Sequence, residues 1–236
     1  MATFSVHENM SKHIGRVPQI FELGEAYEFG KENGLVIHES MKGRYAGEPH
    51  DWGLMAQMLV WAGGGPHLEI GTLFGGSAIL AALTKKTYGL AGGVTCVDPL
   101  DSYYGNPIDV QSDMYVTVDT VKENADLFGV LEYLEFVTEL SMPWPLGERR
   151  FTSAFIDGGH DYDTVMHDWF HCSRVVSKVI QFDNYDARHC QIAQVVKFAL
   201  GNPLWTLLHA SGITAILGRA GLIWPEWEWR EDKNAG

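Results

Sequence analysis

The chain has 236 residues, of which 46% are hydrophobic, and a formal net charge of −13 from 30 acids against 17 Lys and Arg. That length and apolar content suit one α/β domain with extensions and a full core. The acidic balance excludes a general binder of nucleic acid or of membrane surfaces, because nothing offsets the phosphate charge.

Arg149-Arg150, the adjacent Arg pair, reads as a solvated loop before a strand. The cysteines, Cys96, Cys172 and Cys190, are scattered and form no Cys-x-x-Cys. They suit free thiols in a reducing cytoplasm rather than a disulfide frame or structural zinc. The first fifteen residues are polar and lack the apolar core of a signal peptide, and no apolar run reaches membrane-span length. A cytoplasmic protein is expected.

Residues 1–18 carry no regular pattern. A helix is expected over 19–33, with Ile20, Leu23, Tyr27 and Phe29 at approximate helical spacing and Gly34 closing it. Met41 to Tyr45 suits either a substrate-facing segment or an exposed connector. A further helix is expected over 52–62, capped by Asp51 and ended by Gly63-Gly64-Gly65-Pro66. Residues 1–65 therefore read as a helical extension or lid. From there strands and helices alternate. Strands are expected at His67–Ile70, Val94–Val97, 133–138, Phe151–Ile156 and 179–182. Helices are expected over 77–87, 117–128, 161–176 and 188–200. Strands at 205–209 and 214–218 read as a terminal hairpin. Residues 221–236 form an acidic tail with Trp224, Trp227 and Trp229, either a packed arm or a partner contact. This alternation is the pattern of an open, doubly wound α/β sheet of seven mostly parallel strands with an antiparallel hairpin at one edge.

In such sheets ligands gather at the carboxyl ends of the strands. Five strands here end in Gly71, Asp98, Ser141, Asp157 and Asp183-Asn184. Gly71, Gly75 and Gly76 make a bare turn after the first strand, and Ser77 is the expected N-cap of the helix that follows. Asp98 is placed to accept from both hydroxyls of a ribose, with a loop acid or helix cap as the plain alternative. A dinucleotide fingerprint would be Gly-x-Gly-x-x-Gly. Here Leu73 stands at the second glycine, which disfavours NAD or FAD and favours a cofactor without a pyrophosphate, such as S-adenosylmethionine.

Glu69-Ile-Gly71-Thr-Leu-Phe-Gly75-Gly76-Ser77 resembles the first motif of class I S-adenosylmethionine-dependent methyltransferases, and Val97-Asp98-Pro99 the second. Phe155-Ile-Asp157-Gly-Gly-His160-Asp-Tyr162 and Phe182-Asp183-Asn184 are similar to the strand ends of the metal-dependent O-methyltransferases, of the catechol, caffeoyl-CoA and macrocin types. The resemblance covers about residues 41–219 and implies a Rossmann-like cofactor domain over 66–220. It implies that Glu69 and Gly71 frame the methionine part of the cofactor, with Ser77 at its carboxylate and Thr72 also among the cofactor-binding residues. Asp98 would take the ribose, Leu140 and Ser141 the adenine, and Asp157 would border the cofactor. The chain departs from the pattern at Ser177-Lys178, where a glycine pair is usual. The basic surface that would hold a CoA tail is not evident.

Two carboxylates, Asp157 and Asp183, with the Asn184 amide oxygen and waters suit octahedral Mg²⁺. Such an ion would bind two oxygens of a vicinal diol or similar small-molecule hydroxyl acceptor and acidify the attacking one. His160, three residues past Asp157, is placed to take the proton, with a helix-capping histidine as the alternative. Asp161 is the expected cap, which frees His160. Asp163, His167, Asp168 and His171 read as solvated or capping, and Asp186 is an alternative to Asn184. The sequence thus points to a Mg²⁺-assisted O-methyltransferase. The alternatives are a metal-independent enzyme using His160 alone, an NAD-dependent oxidoreductase, and a non-catalytic scaffold that uses the tail. Self-association through the apolar extension and tail is a further expectation.

Overall fold

The computed structural model describes residues 49–102, 104–109, 113–185, 190–210 and 214–222. The expectations for 19–33, for 41–45, for Asp186 and for the Trp-rich tail fall outside them. In chain order the elements are α1 (Pro49–Ala62), β1 (His67–Ile70), α2 (Gly76–Tyr88), β2 (Val94–Val97), a short hairpin of β3 (Ile108–Asp109) and β4 (Met114–Tyr115), and α3 (Val118–Leu127). They continue with a 3-10 turn (Leu131–Tyr133), β5 (Leu134–Val137), β6 (Phe151–Ile156), α4 (Tyr162–Val175), β7 (Val176–Phe182), α5 (Cys190–Ala199), β8 (Trp205–Ala210) and β9 (Ala215–Arg219).

Seven strands form one sheet in the order β5-β2-β1-β6-β7-β9-β8. β5, β2, β1, β6 and β7 are parallel, and β9 runs antiparallel to both β7 and the edge strand β8. Every residue of β1 and β2 is buried, as expected for central parallel strands covered on both faces. On one face α1 and α2 pack Met55, Met58, Leu59, Ile79 and Leu80 with Cys96, Phe155, Val179 and Ile216. On the other, α4 and α5 pack Val165, Trp169, Ile192 and Val195 with Leu68, Ile70, Ile180 and Phe182. Cys96, Cys172 and Cys190 are free thiols, the first two buried. Among the described residues no helix is long and apolar enough to cross a membrane.

The boundaries differ from the sequence reading where a local signal competes with tertiary packing. α1 begins at Pro49, so Asp51 lies inside the helix instead of capping it; proline fits a first turn, where its missing N–H has no partner to lose. α2 begins at Gly76, with Gly75 at the cap position in left-handed conformation, so Ser77 is not the N-cap. α4 runs straight into β7, which therefore starts at Val176 rather than Val179. The loop after β2 contains the β3-β4 hairpin. Thr117 and Asp161 do cap α3 and α4, accepting from the amides of Thr120 and Thr164 at 3.1 and 3.0 Å.

The ladder continues one residue past each central strand. Gly71 N donates to Val97 O, Asp98 N to Val137 O, Asp157 N to Ile70 O and Asp183 N to Ile156 O, at 2.8–3.1 Å. Gly71, Asp98, Asp157 and Asp183 therefore end four neighbouring strands at one level. Gly71 has φ +85°, and a Cβ built there would lie 2.1 Å from Asp157 O. Only glycine allows that approach. Gly71→Ala is expected to lose more than the ~1–3 kcal/mol of backbone strain alone, read as a lower urea midpoint; an unchanged midpoint would show the approach to be soft.

Candidate active site

A cavity of about 700 Å³ opens at this edge of the sheet, within the range of small-molecule sites. Gly71, Thr72, Ser77, Asp98, Leu140, Ser141, Asp157, His160, Asp183 and Asn184 all line it. Residues from four strand ends and from the loop after β5 thus meet in one space. Glu69 is fully buried beneath the turn.

At the glycine turn, the Ser77 hydroxyl donates to Glu69 Oε1 at 2.7 Å, while Oε2 has no hydrogen-bond partner. Burial pushes the Glu69 carboxyl well above its ordinary range; Ser77 pulls it down, and the charges of Asp157 and Asp98 push it further up. Asp98 has a role the sequence did not reveal. Its Oδ2 accepts the amides of Thr72 (2.7 Å) and Leu73 (3.2 Å), and its Oδ1 accepts that of Leu100 (2.8 Å). Leu73 and Leu100 both sit at positive φ, near +50°. The carboxylate ties the two loops together and spends two of its lone pairs on the glycine turn. Ionised, it keeps acceptor capacity for a ligand.

The other half of the cavity is built by β6 and β7. The Asn184 side chain lies between three lone-pair groups. With its NH₂ turned inward it donates to His160 Nε2 at 3.0 Å, Asp183 Oδ2 at 3.2 Å and Asp157 Oδ1 at 3.3 Å. His160 Nε2 is 3.6 Å from Asp157 Oδ1. On its far side, the Tyr104 hydroxyl reaches His160 Nδ1 at 3.4 Å. Tyr104 belongs to the loop between β2 and β3. Asp183 is pushed up to about 8, chiefly by burial and then by the Asp157 charge, with the Asn184 amide and His160 pulling it down.

Among the described residues no three His, Cys, Asp or Glu side chains cluster as a metal site. The candidate set is two carboxylates and one amide. Its chemistry fits a hard cation: two half-buried carboxylates both lie against the Asn184 side chain, and an amide can turn its oxygen toward them only with a positive charge between.

Asp168 corrects the expectation of a solvated or capping residue on α4. It is fully buried, on the face that also carries Val165, Trp169 and Cys172. The 3.6-residue spacing of those positions was the signal that placed it inside. Burial pushes its carboxyl up to about 6, with Ser141 and His167 pulling it down. Gln181, also unassigned from sequence, is buried in the cavity wall, with its amide nitrogen donating to Thr214 Oγ1 at 3.1 Å.

The profile of a family described as a methyltransferase domain matches residues 68–185, half of the chain. No curated protein sequence matches. Among solved structures, an O-methyltransferase from Bacillus cereus in complex with SAH aligns with a TM-score of 0.55 at 18% identity, over 91% of this chain and 96% of that one. The O-methyltransferase TomG from Streptomyces achromogenes, in complex with SAM, aligns at 0.53 and 15% identity, over 92% and 96%. The O-methyltransferase NovP aligns at 0.59 and 14% identity, over 72% and 79%. The chain belongs to the methyltransferase-domain family and has the Rossmann-like fold of class I S-adenosylmethionine-dependent methyltransferases.

Proposed function

We propose that the protein transfers the methyl group of S-adenosylmethionine to a hydroxyl of a small molecule, with Mg²⁺ at Asp157, Asp183 and Asn184. The observation that carries this reading is the division of one cavity into two chemistries. The glycine turn offers a bare backbone and a buried, half-satisfied Glu69. The β6 and β7 ends offer two carboxylates, an amide and His160. The SAH and SAM complexes of the structural neighbours support the cofactor, and TomG's part in tomaymycin synthesis supports a natural-product acceptor.

Methyl transfer from a sulfonium is a displacement at carbon. It requires an oxygen nucleophile in line with the carbon–sulfur bond and stripped of its proton. Glu69 and Ser77 hold the amino-acid end of the donor. The free Glu69 Oε2 suits an ammonium, and the ligand would relieve its burial. Asp98 holds the turn and the ribose. His160 Nε2 faces the acceptor side, among Asp157 and Asn184, and takes the hydroxyl proton. Mg²⁺, when bound, would acidify the acceptor hydroxyl and fix its position. The free cysteines favour a reducing compartment, in line with a cytoplasmic enzyme.

Calorimetry should show SAH binding and no NAD binding; the reverse would overturn the reading. With catechol as a vicinal-diol probe, His160→Gln should lower kcat by about 10²–10⁴. EDTA should abolish turnover, and unchanged turnover would leave His160 as a metal-independent base. Mg²⁺ should raise the melting temperature of the wild type at pH 8 but not that of Asp183→Asn.

A pH dependence follows from Asp183. Its folded pKa of about 8 lies above the ordinary 3.8. Its contribution to stability is therefore full below about 3.8 and is lost as pH rises through 8. In EDTA, Asp183→Asn should lose less melting temperature than the wild type between pH 5 and pH 9. Parallel curves would contradict the buried, repelled carboxylate.

A further inference from the structure

Gln181, near the end of β7, is fully buried and lines the cavity. Its Nε2 donates to Thr214 Oγ1 at 3.1 Å, and its Oε1 has no hydrogen-bond partner among the described residues. An amide oxygen left buried and unpaired costs free energy, so a donor that completes it is favoured there.

The amide cannot relieve this by turning over. The Thr214 hydroxyl donates its one hydrogen to Phe182 O at 2.8 Å. Toward Gln181 it therefore offers lone pairs, and only the NH₂ of the amide can face it. Phe182 O, Thr214 and Gln181 Nε2 thus fix which end of the amide is left over, and that end is an acceptor. Thr214 is itself fully buried and is not among the residues lining the cavity.

The strand register places this acceptor. Glu69, Phe155, Gln181 and Ile216 are successive partners across β1, β6, β7 and β9, so their side chains share one face of the sheet. That face is covered by α1 and α2, and Met55, Leu80 and Phe155 line the cavity there. Glu69 and Gln181 stand two strand spacings apart, ~10 Å, with Phe155 between them. One face therefore carries two unpaired oxygens, Glu69 Oε2 and Gln181 Oε1, separated by an apolar ring. A cationic donor suits the carboxyl. The amide is neutral and suits a neutral donor, a hydroxyl or an N–H. Along β7, Gln181 lies two residues, ~7 Å, before Asp183.

We propose that Gln181 is a specificity-determining residue: its Oε1, fixed by Thr214, accepts a hydrogen bond from a neutral donor that the methyl acceptor carries about 7 Å from its reacting hydroxyl, on an otherwise apolar body. The proposal rests on the methyltransferase reading, with the acceptor at the β6 and β7 ends beside Asp157 and Asp183. It goes beyond that reading by naming what the acceptor must carry and the group that reads it. Thr214 is a positioning residue, acting through Gln181.

The test compares 4-(hydroxymethyl)catechol with 4-methylcatechol by calorimetry on the enzyme loaded with SAH and Mg²⁺. Both present a vicinal diol, and they differ in the donor on the far side of the ring. The wild type should bind the hydroxymethyl form about 10-fold more tightly. Gln181→Met, which keeps the length and removes the amide, should reverse the preference. Thr214→Val frees the amide to turn and should bring the ratio toward one, whereas Thr214→Ser keeps the hydroxyl and should keep the ratio. Melting curves confirm folding, and if Gln181→Met does not fold, the two Thr214 variants decide. A merely structural Gln181 or Thr214 would weaken both ligands equally and leave the ratio intact, which would overturn the proposal. A wild type that binds SAH and both catechols without preference would overturn it and leave the methyltransferase reading in place. A wild type that binds neither SAH nor catechol would overturn both, and one that binds SAH but no catechol would overturn the proposal together with the diol reading of the acceptor.

Discussion

The backbone contact between Gly71 and Asp157 is the constraint on which the rest of the site depends. A Cβ at residue 71 would lie 2.1 Å from Asp157 O, so β1 and β6 can end side by side only with glycine at that position. Because they do, the ladder passes one residue beyond each strand. The turn after β1 then faces the carboxylate after β6 across one cavity. Asp98 completes the arrangement from β2 by holding the amides of Thr72 and Leu73. The glycine turn is thus ordered by one strand end and braced against another.

The second feature is the number of carboxyls at this edge that burial has left short of partners. Glu69 keeps one oxygen unpaired, Asp168 keeps two, and Asp183 is pushed up to about 8 by burial and by Asp157. In a folded protein such groups are costly, and their concentration at one end of a sheet marks a place that ligands complete. The three differ in what they ask for. Glu69 sits beside a hydroxyl already spent on it and suits a cationic donor. Asp183 faces a second carboxylate and suits a metal ion. Asp168 lies under the loop after β6, with His167 Nδ1 3.6 Å from its Oδ1. The same cost of burial therefore leaves three carboxyls that differ in what each can reach.

Much of this was legible in the residues. The βα alternation, the terminal hairpin and the residues at the strand ends were readable because hydrophobic runs and glycine turns are local signals. Leu73 in place of a second glycine was readable for the same reason, and it disfavoured a dinucleotide. The errors were also local in origin. Ser77 has the chemistry of an N-cap, but Gly75 takes the cap position and Ser77 turns to Glu69, eight residues earlier. Asp168 has the chemistry of a surface acid, but its helical spacing puts it with Val165, Trp169 and Cys172.

The sequence by itself determined which chemistry was on offer: a bare turn, acids at the ends of strands, and a histidine three residues past one of them. These follow from residue type and short spacing. The tertiary structure alone decided which of them act together. The strand order β2-β1-β6-β7 brings Asp98, Gly71, Asp157 and Asp183 to one level, although up to 112 residues separate them in the chain. It also decided that Asn184 lies among His160, Asp157 and Asp183, that Asp98 serves the turn, and that Asp168 is buried beneath the loop after β6. Burial and partner choice are properties of neighbours across the sheet, and no local pattern of residues carries them.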